Sequence, residues 1–166
     1  MEVTPVNLLL ALLLASSTFS SGATVPRTMV AVQCGGSNVS PELHWTGAPS
    51  GTRSFALIVH DPDAPHPDGF YHWVVYDLPP SLARLPASAR IAAQRSGRND
   101  TGSVGYFGPC PPRGMVHHYH FTLYALDIAR IGATQPLTAA ELQSRMRGHV
   151  LAQAQIVGLW SASDSR

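Results

Sequence analysis

The chain has 166 residues, of which 11 are Lys+Arg and 10 are Asp+Glu, giving a formal charge of +1 at pH 7. Charged residues make up 13% of it, against roughly 25% in an average soluble domain, while 45% of it is apolar. That balance excludes disorder driven by high charge and low hydrophobicity. Every cation is an arginine and they are scattered singly, so no basic stripe exists to neutralise a nucleic-acid backbone.

In chain order, Leu8 to Ala15 reads LLLALLLA and is followed by small and polar residues up to Ala23. The run is too short to span a bilayer and has the form of the apolar region of a secretory signal. Ser21-Gly22-Ala23 offers the small residues that a signal peptidase reads. Residues 1–23 are therefore expected to leave as a signal peptide, and residues 24–166 to form one domain, secreted or periplasmic. One departure from the pattern is Glu2, with no Lys or Arg before the apolar run.

Export changes what the two cysteines, Cys34 and Cys110, mean. In an oxidising compartment an isolated pair is a candidate disulfide. Both sit in Gly/Pro-rich turns, so a bond between them would tie two loops together.

Three short β-prone runs follow: Phe55 to His60, His72 to Asp77 and His117 to Leu126. Asp61-Pro62 stops the first and Pro79-Pro80 follows the second. Short runs separated by turn chemistry predict a sandwich or barrel over a βαβ fold. The stretch 79–116 is expected to be functional or to hide short strands. Thr138-Ala139-Ala140-Glu141 is a capping box that opens a helix, with Leu142, Met146 and Val150 recurring on one face. Ile156 to Trp160 reads as a last strand.

Strand alternation points to a site. Phe55, Leu57, Val59 and Asp61 share a face, so an apolar row ends in a carboxylate. His117 and Tyr119 head a second row that continues with Phe121 and Leu123. His72 heads a third, with Val74 and Tyr76. Three segments each deliver a polar group to the rim of the core, which predicts a pocket. Two imidazoles and a phenol are hydrogen-bond donors suited to a phosphate or carboxylate, and a neighbouring carboxylate orients a histidine.

Asp61-Pro62-Asp63-Ala64-Pro65, His72-Trp73-Val74-Val75, Gly105 to Pro112 (GYFGPCPP) and His117-x-Tyr119 occur in the order found in phosphatidylethanolamine-binding proteins. The chain resembles the prokaryotic, Raf-kinase-inhibitor-like branch of that family, from Asn38 through Trp160. The resemblance implies a mainly β fold: an antiparallel β-sandwich of Greek-key type with a C-terminal helix and short peripheral helices. It implies an anion pocket of Asp61, His72, His117 and Tyr119, with Pro62, Asp63, Gly108, Pro111 and Pro112 shaping the rim. It implies no cofactor and no metal. His118 stands where many relatives carry arginine.

The function expected is that of an exported, non-enzymatic binding protein for a small phosphate-like anion or phospholipid head group. A second expectation is a protease or kinase inhibitor acting through a protein surface. A third is an acid–base enzyme on a phospho-substrate, since a His/Asp/Tyr pocket is also acid–base equipment. Asp61-x-Asp63 is a poor calcium loop because prolines occupy 62, 65 and 67, and no HExxH or GxSxG motif occurs.

Overall fold

The computed structural model describes residues 11–162. Among these residues, seven strands form two antiparallel sheets. The smaller has the order β1 (Leu13–Ala15), β2 (Leu43–Thr46), β5 (Arg84–Leu85). The larger has the order β4 (Phe70–Leu78), β3 (Ser54–Asp61), β6 (Val116–Leu126), β7 (Val150–Ser161). One helix, α1 (Ala139–Met146), and three short 3-10 turns at Arg27–Met29, Val32–Cys34 and Ala93–Arg95 complete the fold.

The central strands are apolar on both sides because the larger sheet is covered twice. Phe55, Leu57 and Val59 of β3 face the small sheet, in a core that also holds Leu43, Trp45, Trp73, Tyr119, Phe121 and Leu123. Ala56 and Ile58 face the other way, against Val74, Tyr76, Leu137, Leu142 and Met146 around α1. The expected rows Phe55–Asp61 and His117–Leu123 lie on the sandwich face.

The capping box at the start of α1 is present: Thr138 Oγ1 accepts from the Glu141 N–H, and Glu141 accepts from the Thr138 N–H at 2.8 Å. The helix ends at Met146, however. Gly148, at φ +78°, turns the chain, and Val150 belongs to β7, where it is exposed, and not to the helical face. The last strand therefore starts six residues before Ile156. The long stretch 79–116 hides β5, the turn Ala93–Arg95 and isolated bridges at Val75–Ser96 and Arg98–Val104.

Among the described residues, those from Ala11 to Ala23 contact the body of the sandwich. Residues 13–15 pair with Thr46, Trp45 and His44, while Leu12, Leu14 and Phe19 are buried in the sandwich core. Ser17 gives both its N–H and its hydroxyl to the Glu42 carboxylate, at 2.7 and 2.8 Å. Further on, Gly22 N–H donates to Val157 O, and Ala23 O accepts from Leu159 N–H, so this segment also covers part of the free edge of β7. Of the apolar run Leu8–Ala15, the residues before Ala11 lie outside the described residues.

Candidate anion pocket

At one end of the sandwich a cavity of about 390 Å³ opens between the loops after β3 and before β6. Asp61, His72 and His117 line it, with Pro111, Pro112 and both cysteines on the rim. Its volume falls within the range of small-molecule sites.

Asp61 closes β3, His117 opens β6, and both point to the sandwich face. Their side chains meet: His117 Nδ1 donates to Asp61 Oδ2 at 2.7 Å, and both residues are buried. Asp61 Oδ1 accepts from the Asp63 N–H at 2.9 Å, so the carboxylate is anchored from two sides.

His72 reaches the same point by a different route from the one its alternation predicts. Val74 and Tyr76, its expected row-mates, face α1. Between the pairs Val59–Trp73 and His60–Tyr71 the register shifts by one, leaving His72 as an extra residue in β4. This β-bulge turns His72 to the face of Trp73, where its Nε2 lies 4.0 Å from Asp61 Oδ2. Without the bulge it would face the helix.

The chemistry of His72 follows from its partner. Nδ1 lies 2.7 Å from the Phe107 carbonyl oxygen, which can only accept, so Nδ1 carries the proton. Burial pushes the ring down to a pKa of about 4, although that carbonyl and Asp61 act the other way. The ring is neutral near pH 7, and Nε2 is an acceptor. The expectation of two donating imidazoles is corrected here: one donor position is an acceptor.

Tyr119 is packed edge-on against His72, with centroids 5.1 Å apart, and is buried behind the lining residues. Burial, then the Asp61 charge, raises its pKa, so the phenol keeps its proton and remains a donor. His117 Nε2 is buried without a hydrogen-bond partner among the described residues, as is Trp45 Nε1 in the sandwich core, while the buried Tyr119 Oη has the Cys110 backbone beside it.

The other expected rim residues divide. Pro111 and Pro112 line the cavity; Pro62, Asp63 and Gly108 do not. Asp63 points outward, accepting from the N–H and Nδ1 of His118, both at 2.8 Å. Burial would raise its pKa, but the bonds from His118 outweigh that and hold it below the usual range. His118 thus pins the β3–β4 loop to β6. Gly108 packs on the 29–31 backbone, where a Cβ would fall 2.0 Å from Met29 O. Its N–H donates to Asn38 Oδ1 at 2.8 Å while Asn38 Nδ2 donates to Tyr106 O, so one amide clamps the loop on both sides of Phe107. The Cys34–Cys110 disulfide joins the same two loops.

Sequence reasoning missed the apolar walls. Phe70 lies 4.7 Å from His72 and Phe107 is stacked on it at 5.8 Å. Ala64, Pro65 and His66 also line the cavity. Among the described residues no group of three His, Cys, Asp or Glu is placed to hold a metal ion, and no helix is long and apolar enough to cross a membrane.

A β-sandwich with a small, mostly apolar pocket built on an Asp–His pair is the class that the geometry defines. Residues 15–161 match the family model described as phosphatidylethanolamine-binding protein. A UPF0098 protein of Aquifex aeolicus is 40% identical over 150 residues, covering 87% of this chain and 85% of the relative. The crystal structure of Escherichia coli YbcL, described as a member of the mammalian PEBP family, superposes with a TM-score of 0.84 at 32% identity, covering 90% of this chain and 98% of YbcL. The PEBP homologue CT736 of Chlamydia trachomatis gives 0.83 at 36% identity, covering 92% and 98%. The chain belongs to the phosphatidylethanolamine-binding protein family.

Proposed function

We propose that the protein is a non-enzymatic binding protein whose pocket takes a phosphate-like anion or a phospho head group. One observation carries this reading: His117 Nε2 is buried in the lining of the pocket with no hydrogen-bond partner among the described residues, and the Tyr119 phenol lies directly behind that lining, beside the Cys110 backbone. A buried polar group left unsatisfied costs roughly 1–3 kcal/mol, so one that lines a cavity, as His117 does, is a place for a ligand to bind. The phenol donates to an anionic oxygen, and His117 Nε2, on the ring that Asp61 orients, is the second polar atom offered to the ligand. His72 Nε2 and Asp61 supply acceptors beside them, which suits a hydrogen phosphate or the ammonium of an ethanolamine head group.

Binding is favoured over covalent chemistry by the lining itself. No serine, threonine or lysine is among the lining residues and both cysteines are joined to each other, which leaves Asp61, already accepting two hydrogen bonds, and the histidines as the nucleophiles there. The disulfide also supports a location outside the reducing cytoplasm.

Calorimetric titration of inorganic phosphate and of O-phosphorylethanolamine tests the reading. Tyr119→Phe removes one hydroxyl and keeps the packing. Losing a hydrogen bond to a charged ligand costs about 1.5–3 kcal/mol, so affinity should fall roughly tenfold or more. Equal affinities of wild type, Tyr119→Phe and His117→Ala would reject the pocket. Tighter binding of O-phosphorylethanolamine than of phosphate would select the head group.

A further inference from the structure

At the opposite end of the larger sheet lies a second concavity, of about 320 Å³, lined by Arg53, Arg95 and Arg130 together with Asp77. Arg53 immediately precedes β3, whereas Asp61 ends it, so the two sites are separated by the length of that strand, roughly 25 Å. Neither site shares a lining residue with the other.

The three guanidinium groups have no ion pair or hydrogen bond among the described residues. Elsewhere in the chain arginines do find partners: Arg84 bonds Glu42 at 3.0 Å, Arg27 bonds Gly35 O at 2.7 Å and Arg145 bonds Gly132 O at 3.0 Å. The one carboxylate in the concavity is already engaged, since Asp77 Oδ1 accepts from the Ile131 N–H at 2.7 Å. Three like charges facing one space, against a single carboxylate, repel one another unless an anion joins them.

The backbone segments that carry them are tied down, while the arginine side chains themselves are exposed or half-buried. β4 carries a second register shift, between its pairs to Phe55 and Leu57, and Asp77 sits there at φ +55°. This bulge turns the Asp77 carboxylate toward the loop that carries Arg130. That loop is tied at several points: Ile128 O accepts from Ser54 Oγ, Asp127 Oδ1 from His149 Nδ1, and Gly132 O from Arg145. Arg95 ends the turn Ala93–Arg95, which is held to β4 through the Val75–Ser96 bridge. Pro79 and Pro80 form a stiff wall. Arginine forks on a fixed frame match the oxygens of a phosphate bidentately.

We propose that this concavity is a second anion site, selective for a compact anion of at least two negative charges, of diphosphate type. The excess of two positive charges sets the valence, and the volume sets the size. It operates independently of the His117 pocket.

The probe is inorganic pyrophosphate, added to uniformly 15N-labelled full-length protein and followed by amide spectra. In wild type and in His117→Ala, the amides of Arg53, Arg95, Arg130 and Gly132 should shift and saturate below about 10 mM, as a Kd near 1 mM or tighter requires. In the double variant Arg95→Gln/Arg130→Gln the same shifts should need at least about tenfold more pyrophosphate, with an unchanged melting temperature showing that the fold is kept. Single-charge acetate should leave these amides unmoved at the same concentration. The inference is overturned if pyrophosphate produces no saturable shift at these amides, or if the double variant titrates like wild type. Because the readout is local, failure of the His117 pocket to bind phosphate would leave this result unaffected, and the converse also holds.

Discussion

Phe19→Ala tests whether residues 11–23 are part of the working fold. Phe19 is only 7% exposed; its ring centroid lies 5.4 Å from that of Phe121, and it packs closely over Gly158 of β7. Truncating a buried phenylalanine costs about 3–5 kcal/mol through lost transfer energy and the cavity left behind. In a domain of this size each kcal/mol lowers the melting temperature by about 2–4 °C, so a drop of about 10 °C is expected. Thermal unfolding by circular dichroism, on protein whose intact mass has been measured, reads this directly. Leu13→Ala is the internal control, because Leu13 lies in the same segment but is 62% exposed, and it should melt close to wild type. If Phe19→Ala melts with wild type, or if stable protein begins after Ala23, the segment is not the strand and core contributor described here.

Three further outcomes follow from the same geometry. Glu42 is held at about 2, because bonds from Ser17 and His44 outweigh the opposing effect of burial; its stabilisation should be lost as pH falls from about 4.5 to about 2, and Glu42→Gln should remove that transition from an acid titration of stability. His72 behaves in the opposite sense to a paired histidine. The unfolded chain takes up a proton below about 6.5 that the folded ring refuses until about 4, so stability should decline across that interval, and the His72 ring resonances should stay unshifted by NMR until pH nears 4. Gly108→Ala would drive a methyl group into Met29 O and the Ala31 N–H, so it should cost about 1–3 kcal/mol in denaturant unfolding and weaken anion binding by displacing the loop beside Phe107.

The parts of the fold that were legible in the sequence are those with a period. The three β-prone runs became β3, β4 and β6, and two-residue alternation put Asp61 and His117 on one face. Alternation also named His72, but it gave the wrong neighbours. A bulge leaves no trace in an unbroken β-prone run, and only the register with β3 reveals it. The run LLLALLLA has no alternation, so the sequence cannot separate a leader from a strand buried at every second residue. Phe107 was illegible because it lies in a loop, where no periodicity operates; Phe70, two residues before His72, was within reach. Val150 was assigned to the helix because its spacing continues past Gly148, although that glycine is the stop signal.

The central claim is that the pocket lined by Asp61, His72 and His117 takes a phosphate-like anion. A crystal structure of the protein soaked in O-phosphorylethanolamine tests this most directly. The expected result is a phosphate oxygen within the cavity at about 3 Å from His117 Nε2, with the Asp61–His117 bond retained. A ligand bound elsewhere, or His117 Nε2 satisfied by a protein group in the ligand-free crystal, would contradict it.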